Sequence, residues 1–255
     1  MTDSQQSLTD WFETPPGRYL LAWEQDGFDL AVADMFGFNA MQLGLPQSQP
    51  LRANRMPHRW LALHEVPAAP DPQAALVTDA AALPFPAASL DLVVLPHTLE
   101  FSADPHHVLR EVERVLVPEG RLVISGFNPT SLWGWRQGRG HAMARLGIHA
   151  FGASRLYLPD SGAFIGTGRL RDWLRLLGLE IETEHYGCYR PAVRSDKWLQ
   201  RTAWMDRVGA RWWPIFGAVH FVVAVKRVRG MRLLGPAWKP RRTPATAPVS
   251  VANRR

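Results

Sequence analysis

Residues 78–128 read TDAAALPFPAASLDLVVLPHTLEFSADPHHVLREVERVLVPEGRLVISGFN, and this stretch decides the fold. Asp79 follows a short apolar strand, Ala75–Thr78, and is followed by the hydrophobic turn Leu83-Pro84-Phe85-Pro86. The run Leu90–Leu95, apolar except for Asp91, has the length of a strand buried on both faces, and it ends in Pro96-His97. An amphipathic helix then runs to Leu116, Pro118-Glu119-Gly120 reverses the chain, and another apolar strand spans Arg121–Ser125. Strand, helix, strand in this order predicts a parallel α/β sheet. The polar residues sit in the loops that leave the carboxyl ends of strands, where open α/β sheets bind ligands.

The order and wording of this block resemble the class I S-adenosylmethionine-dependent methyltransferases, in their type 11 branch. The resemblance is carried by Asp79-Ala80, Leu83-Pro84-Phe85, His97-Thr98-Leu99-Glu100 and Leu116-Val117-Pro118-Glu119-Gly120-Arg121-Leu122. It implies a Rossmann-like, seven-stranded mixed sheet in the order 3-2-1-4-5-7-6, strand 7 antiparallel, flanked by helices. It also implies S-adenosyl-L-methionine as cofactor. On that basis Asp79 would accept a hydrogen bond from the adenine amino group, and Ala80 would offer its backbone N–H to the ring; the alternative for Asp79 is a helix or turn cap. Leu95, Pro96 and His97 would floor the site.

Working upstream, Tyr19–Phe36 carries apolar residues at helical spacing, and Pro15-Pro16 supplies a helix start. The resemblance makes this leading helix a roof over the cofactor. Phe38–Gly44 reads as the first strand. In the family its end carries D-L-G-x-G-x-G, whose glycines let the backbone approach the cofactor closely. Here the residues are Gln42-Leu43-Gly44-Leu45-Pro46-Gln47-Ser48: Gly44 remains, and Pro46 stands where the second glycine would be. Proline fixes φ and lacks an N–H, so this loop differs chemically from the family's. Trp60–Leu63 reads as the second strand. In the family an acidic residue at the end of this strand accepts from the ribose hydroxyls; Glu65, roughly 20 residues after Gly44, is the candidate for that place, the alternative being a solvated loop carboxylate. Pro67, Pro70 and Pro72 leave no room for a helix before the third strand.

His97 has a side chain that titrates near neutrality, so it is a candidate general base for a hydroxyl or acidic acceptor; the alternative is a packing residue that shapes the pocket. Glu100 reads as a pairing or capping residue. His106 and His107 have no acidic or cysteine partner at ligand spacing, and no metal is expected.

Downstream, 128–167 interrupts the fold after the fifth strand and holds Trp133, Trp135, Arg136, Arg139, Phe151, Arg155 and Tyr157. It reads either as a lid over the acceptor or as a flap packed on the core; aromatic and arginine side chains together suit an apolar or aromatic acceptor bearing an anionic group. Gly168–Leu177 is an amphipathic helix stopped by Gly178, and Glu180–Tyr186 and Ala218–Val225 are the final strands. Between them Ser195–Trp213 is a helix rich in tryptophan, readable as a second lid, a dimer face or a membrane-surface contact.

The net charge of +6 is misleading about the body of the protein. Residues 229–255 hold seven arginines and lysines and no acid, which leaves the remainder at −1. This proline-containing tail reads as a disordered extension able to bind RNA or acidic lipid weakly, and residues 1–228 read as the methyltransferase-like unit. Cys188, the single cysteine, excludes an internal disulfide and reads as a small apolar filler. No apolar run is long enough to span a membrane, so the cytoplasm is the expected compartment. The strand-4 end reads LPHTLE, unlike the motif that grips a flipped nucleobase, so a small-molecule acceptor is expected and no specific nucleic acid. The competing expectation is a non-catalytic binding or scaffold module, for which the altered glycine loop speaks.

Overall fold

A computed structural model describes residues 8–66, 74–145, 157–159 and 162–227. The basic tail, the prolines of 67–73 and much of the second half of the insertion lie outside the described residues. The elements are α1 (Pro15–Val32), β1 (Asn39–Leu43), β2 (His58–Leu63), β3 (Ala74–Val77), β4 (Leu90–Pro96), α2 (Pro105–Val115), β5 (Leu116–Phe127), α3 (Leu132–Arg145), α4 (Thr167–Leu176), β6 (Leu179–Gly187), α5 (Asp196–Arg201), α6 (Trp204–Trp212) and β7 (Val219–Lys226).

The strands form one sheet in the order β3-β2-β1-β4-β5-β7-β6. β1 to β5 run parallel, and β7 is antiparallel to both β5 and β6. This is the expected order, with strand 7 reversed as expected. The central strands are apolar because both sheet faces are covered. Along β4 the side chains alternate: Val93 and Leu95 pack with Val108, Leu109, Val112 and Leu170 of α2 and α4, whereas Leu92 and Val94 pack with Phe28 and Val32 of α1. Period-two alternation thus feeds two separate cores from one strand.

Thr14 caps α1 by accepting from Gly17 N, and Pro15 and Pro16 open the helix where their missing N–H groups cost nothing. The Pro-Glu-Gly turn expected before β5 lies inside it instead. Glu119 takes a positive φ of 64°, and the register with β4 shifts between Leu90 and Leu92, so the segment forms a bulge in a longer strand. Finally, the Leu83–Pro86 turn is clamped by α2. Glu111 accepts from Leu83 N at 3.0 Å, and Arg114 Nη2 donates to the carbonyls of Leu83 (3.2 Å) and Phe85 (3.0 Å) while pairing with Glu111. The hydrogen bond from Arg114 holds the Glu111 carboxyl below its usual range.

Arg114→Ala removes both carbonyl donors and should cost about 1–2 kcal/mol, by the usual value of charged hydrogen bonds at a partly exposed site. Faster amide exchange at Ala82 and Leu83 is the accompanying readout; unchanged exchange would show that the turn holds itself.

Candidate functional site

The strand order reverses between β1 and β4, and the loops leaving them diverge to open a crevice at the carboxyl edge. A cavity of about 300 Å³ fills it, at the lower end of small-molecule sites. Gly44, Leu45, Pro46 and Gln47 line it from the end of β1, and Ala62 and His64 from β2. Thr78 to Ala81 follow β3, and Pro96, His97 and Thr98 end β4. Leu8 and Thr9 close the top, and Gln47 Nε2 donates to Thr9 Oγ1 at 3.0 Å. The roof therefore comes from the short helical segment 8–12 before α1, not from the leading helix itself.

The loop after β1 is held by a buried side chain. Gln42 Nε2 donates to the carbonyls of Gly44 (3.0 Å), Leu45 (2.9 Å) and Ser48 (3.1 Å). The chain needs this brace because both Gly44 (φ 75°) and Leu45 (φ 45°) are left-handed, a conformation that is unfavourable for leucine. A Cβ on Gly44 would meet only Thr98 Oγ1, at 3.6 Å, so glycine is required there by conformation rather than space. Thr98 Oγ1 donates to Leu43 O at 2.6 Å and stitches the ends of β1 and β4 together. Sequence reading missed Gln42 and Thr98. The available signal was a polar side chain in an otherwise apolar strand, which must find partners when buried.

Asp79 is exposed, and its Oδ1 accepts from Ala81 N at 2.9 Å, so it caps its own turn. Its second oxygen has no partner among the described residues. Gly44, Asp79, Ala80, Pro96 and His97 meet at the cavity; two other expected residues do not. Leu95 is wholly buried in the core beneath the floor. Glu65 is not in the wall, because β2 ends at Leu63 and the next residue, His64, occupies the position facing the cavity.

His97 requires the largest correction. Its side chain is fully buried between Glu24 of α1 and Glu100, with Nδ1 2.8 Å from Glu100 Oε2 and Nε2 3.0 Å from Glu24 Oε1. The Glu24 contact is ionic rather than an aligned hydrogen bond: neither Glu24 oxygen nor His97 Nε2 has a hydrogen-bond partner among the described residues. Glu100 Oε1 also accepts from Phe127 N. The Phe127 ring lies 4.4 Å from the imidazole, centroid to centroid.

Burial alone would push the His97 pKa down, but the two carboxylates together outweigh it and raise it to about 10. Burial holds the Glu100 carboxyl above its usual range against the lowering effect of His97. His220, nearby, is pushed down to about 4 by burial and by the His97 charge. The two carboxylates favour the charged ring, and the fully buried His97 side chain has no surface on the cavity from which to take a proton from an acceptor, so the geometry speaks for the alternative, a packing residue, over a general base. Its backbone lines the cavity; its side chain ties α1 to the end of β4.

The insertion contributes nothing to the cavity wall among its described residues. Trp133 and Tyr157 are buried with Trp11 and Phe12, Trp11 Nε1 donates to Tyr157 O (2.8 Å), and Gln137 bonds the backbone of Tyr157 and Leu158. The insertion packs on the segment that carries Leu8 and Thr9 and so braces the roof from behind. Cys188 is buried just after β6, and burial pushes its thiol pKa well up, as befits an unreactive filler. No group of three or more His, Cys, Asp or Glu suited to a metal exists among the described residues, and no described helix is long and apolar enough to cross a membrane.

Residues 59–124 match the family model of a methyltransferase domain. The chain is 39% identical over 99 residues to the Uncharacterized protein YafS of Escherichia coli, covering 39% of this chain and 36% of that one. It is 37% identical over 107 residues to the demethylmenaquinone methyltransferase of Deinococcus radiodurans, covering 39% of this chain and 44% of that one. The matched segments thus span less than half the length of either relative. In fold, it superposes on an S-adenosylmethionine dependent methyltransferase from Mesorhizobium loti with a TM-score of 0.52 at 16% identity, over 78% of this chain and 96% of that one. A chain from the complex between the Haloferax volcanii Trm112 methyltransferase activator and a methyltransferase gives 0.55 at 16% identity, over 88% and 98%. These likenesses establish the fold.

Proposed function

We propose, from the premise that this chain is built as a class I S-adenosylmethionine-dependent methyltransferase, that it transfers a methyl group to a small apolar or aromatic acceptor at the β1/β4 crevice. The observation that carries the reading is the convergence of Gly44, Asp79, Ala80, Pro96 and His97 on one cavity at the point where the strand order reverses.

The residues present fit the cofactor. The left-handed Gly44–Leu45 backbone, fixed by Gln42, would hold the methionine end. His64 would face the ribose in place of Glu65. Asp79 retains an unengaged carboxylate oxygen for an adenine amino group, with Ala80 beside it. The cofactor, when bound, supplies an electrophilic methyl on a sulfonium.

The protein's part is alignment and exclusion of water, since an activated methyl needs a placed nucleophile more than a strong base. The burial of the His97 side chain between Glu24 and Glu100 agrees with this division of labour, because it stiffens the floor and keeps the ring away from the acceptor. Leu8, Leu45 and Phe101 give the wall its apolar character, the basis for an apolar or aromatic acceptor.

The reading predicts that S-adenosylmethionine raises the melting temperature dose-dependently, by about 2.7 kcal/mol of stability at a hundredfold excess over Kd. Asp79→Ala should weaken binding roughly tenfold, the value of one charge-assisted hydrogen bond. No shift at millimolar cofactor would overturn it in favour of a binding module.

A further inference from the structure

The tryptophan-rich segment before β7 has two faces of opposite character. Asp206, the one acid of α6, points inward: it accepts from the Tyr19 hydroxyl (2.5 Å) and from Tyr189 N (3.2 Å), and it pairs with Arg190 (2.9 Å). Gly209 lies so close to the Tyr189 ring that a Cβ would stand 2.3 Å from its Cγ. These contacts fix the inner face of α6.

Its outer face carries Trp204, Arg207 and Arg211 at helical spacing, all exposed. Beyond it, Arg211 to Phe216 are six consecutive exposed residues, with Trp212 at 70% exposure and Trp213, Ile215 and Phe216 close to half or above. An exposed apolar cluster of this kind marks an interaction surface. The tip is not floppy. Tyr189 Oη donates to Pro214 O at 2.8 Å, and the Asn128 amide donates to the carbonyls of Ile215 (2.7 Å) and Gly217 (2.9 Å). The backbone is pinned and the large side chains are held outward.

We propose that this face docks on the surface of an anionic lipid bilayer, with Trp212, Trp213, Ile215 and Phe216 entering the boundary between headgroups and acyl chains and Arg207 and Arg211 meeting lipid phosphates. Charge and side-chain type select this partner. Tryptophans flanked by arginines match the layered polarity of a membrane interface, and Arg207 and Arg211 have no carboxylate partner among the described residues. The exposed acid of α5, Asp196, lies 3.8 Å from Arg18. Seven tail cations without an acid add attraction of the same sign. A nucleic-acid surface would not need isoleucine and phenylalanine at its tip. The face stands at the sheet's carboxyl edge, since β7 starts at Val219 opposite Phe127, the last residue of β5. The cavity opens along this same edge, which suits an acceptor drawn from lipid. Docking itself does not depend on methyl transfer and is measured without cofactor.

The full-length protein should sediment with phosphatidylcholine vesicles containing phosphatidylglycerol and not with phosphatidylcholine alone. Brominated acyl chains in the anionic vesicles should quench its tryptophan fluorescence. W212S/W213S/I215S/F216S should abolish the quenching and lower the bound fraction at least tenfold, and R207Q/R211Q should weaken binding about fivefold per arginine. Absence of sedimentation at low salt, or absence of quenching in the wild-type protein, overturns the proposal without reliance on any variant. So does a tip variant that binds as well as wild type, which would assign the attraction to the tail. An RNA oligonucleotide that binds where vesicles do not would reassign the face to nucleic acid and equally end the proposal.

Discussion

His97→Leu is expected to destabilise the fold by roughly 3–5 kcal/mol, the usual cost of stripping one partner from a buried ionic cluster. Glu24 and Glu100 approach the same imidazolium from opposite ring nitrogens. Without it, two carboxylates remain buried with only the Phe127 N–H as a close donor to Glu100. Part of the loss should return in the triple variant that adds Glu24→Gln and Glu100→Gln, because neutral amides have less to lose from burial. A triple variant no more stable than His97→Leu would mean that lost packing, not charge, set the cost.

The same cluster fixes a pH dependence. A histidine whose folded pKa lies above its unfolded value adds stability that is complete below about 6.5 and drains away as pH climbs through about 10. The melting temperature should therefore fall from neutral pH toward 10, and Glu24→Gln, which removes one charge that keeps His97 protonated, should move that fall to lower pH. A Glu24→Gln curve that overlies the wild type would exclude this account.

Gln42→Glu is the second change with a large expected effect. The substitution keeps the shape of the side chain but replaces its donor with a carboxylate facing the carbonyls of Gly44, Leu45 and Ser48. Three acceptors then meet a fourth in a buried position, at a cost of about 2–4 kcal/mol. The loop should spring open, so amide exchange at Leu45 and Ser48 accelerates and the cofactor-dependent rise in melting temperature disappears. Gln42→Leu, which leaves the carbonyls without a donor but adds no charge, should do less of both. Equal melting temperatures and cofactor shifts in Gln42→Glu and wild type would remove Gln42 from its role as the brace of the loop.

Much of this molecule is legible in one dimension. The run Leu90–Leu95, apolar but for Asp91 at its start, reads as a central strand, and Asp79, Pro96 and His97 stand at or after strand ends, so their arrival at one edge follows from parallel topology. Finer placement failed where it depended on the residue at which a strand stops: one position separates His64 in the wall from Glu65 beside it. The tryptophans of the insertion were ambiguous for another reason. Composition does not say which way a ring turns, and Trp133 finds its partners in Trp11 and Tyr19, far back in the chain.

The sequence by itself determined the strands and the edge at which ligands gather, because these follow from the order of apolar segments, and its resemblance to the class I methyltransferases supplied the strand order. The tertiary structure decided the chemistry of His97. A side chain's protonation depends on how much water it has lost and which charges surround it, and the carboxylate that tips the balance, Glu24, reaches it from a helix far upstream.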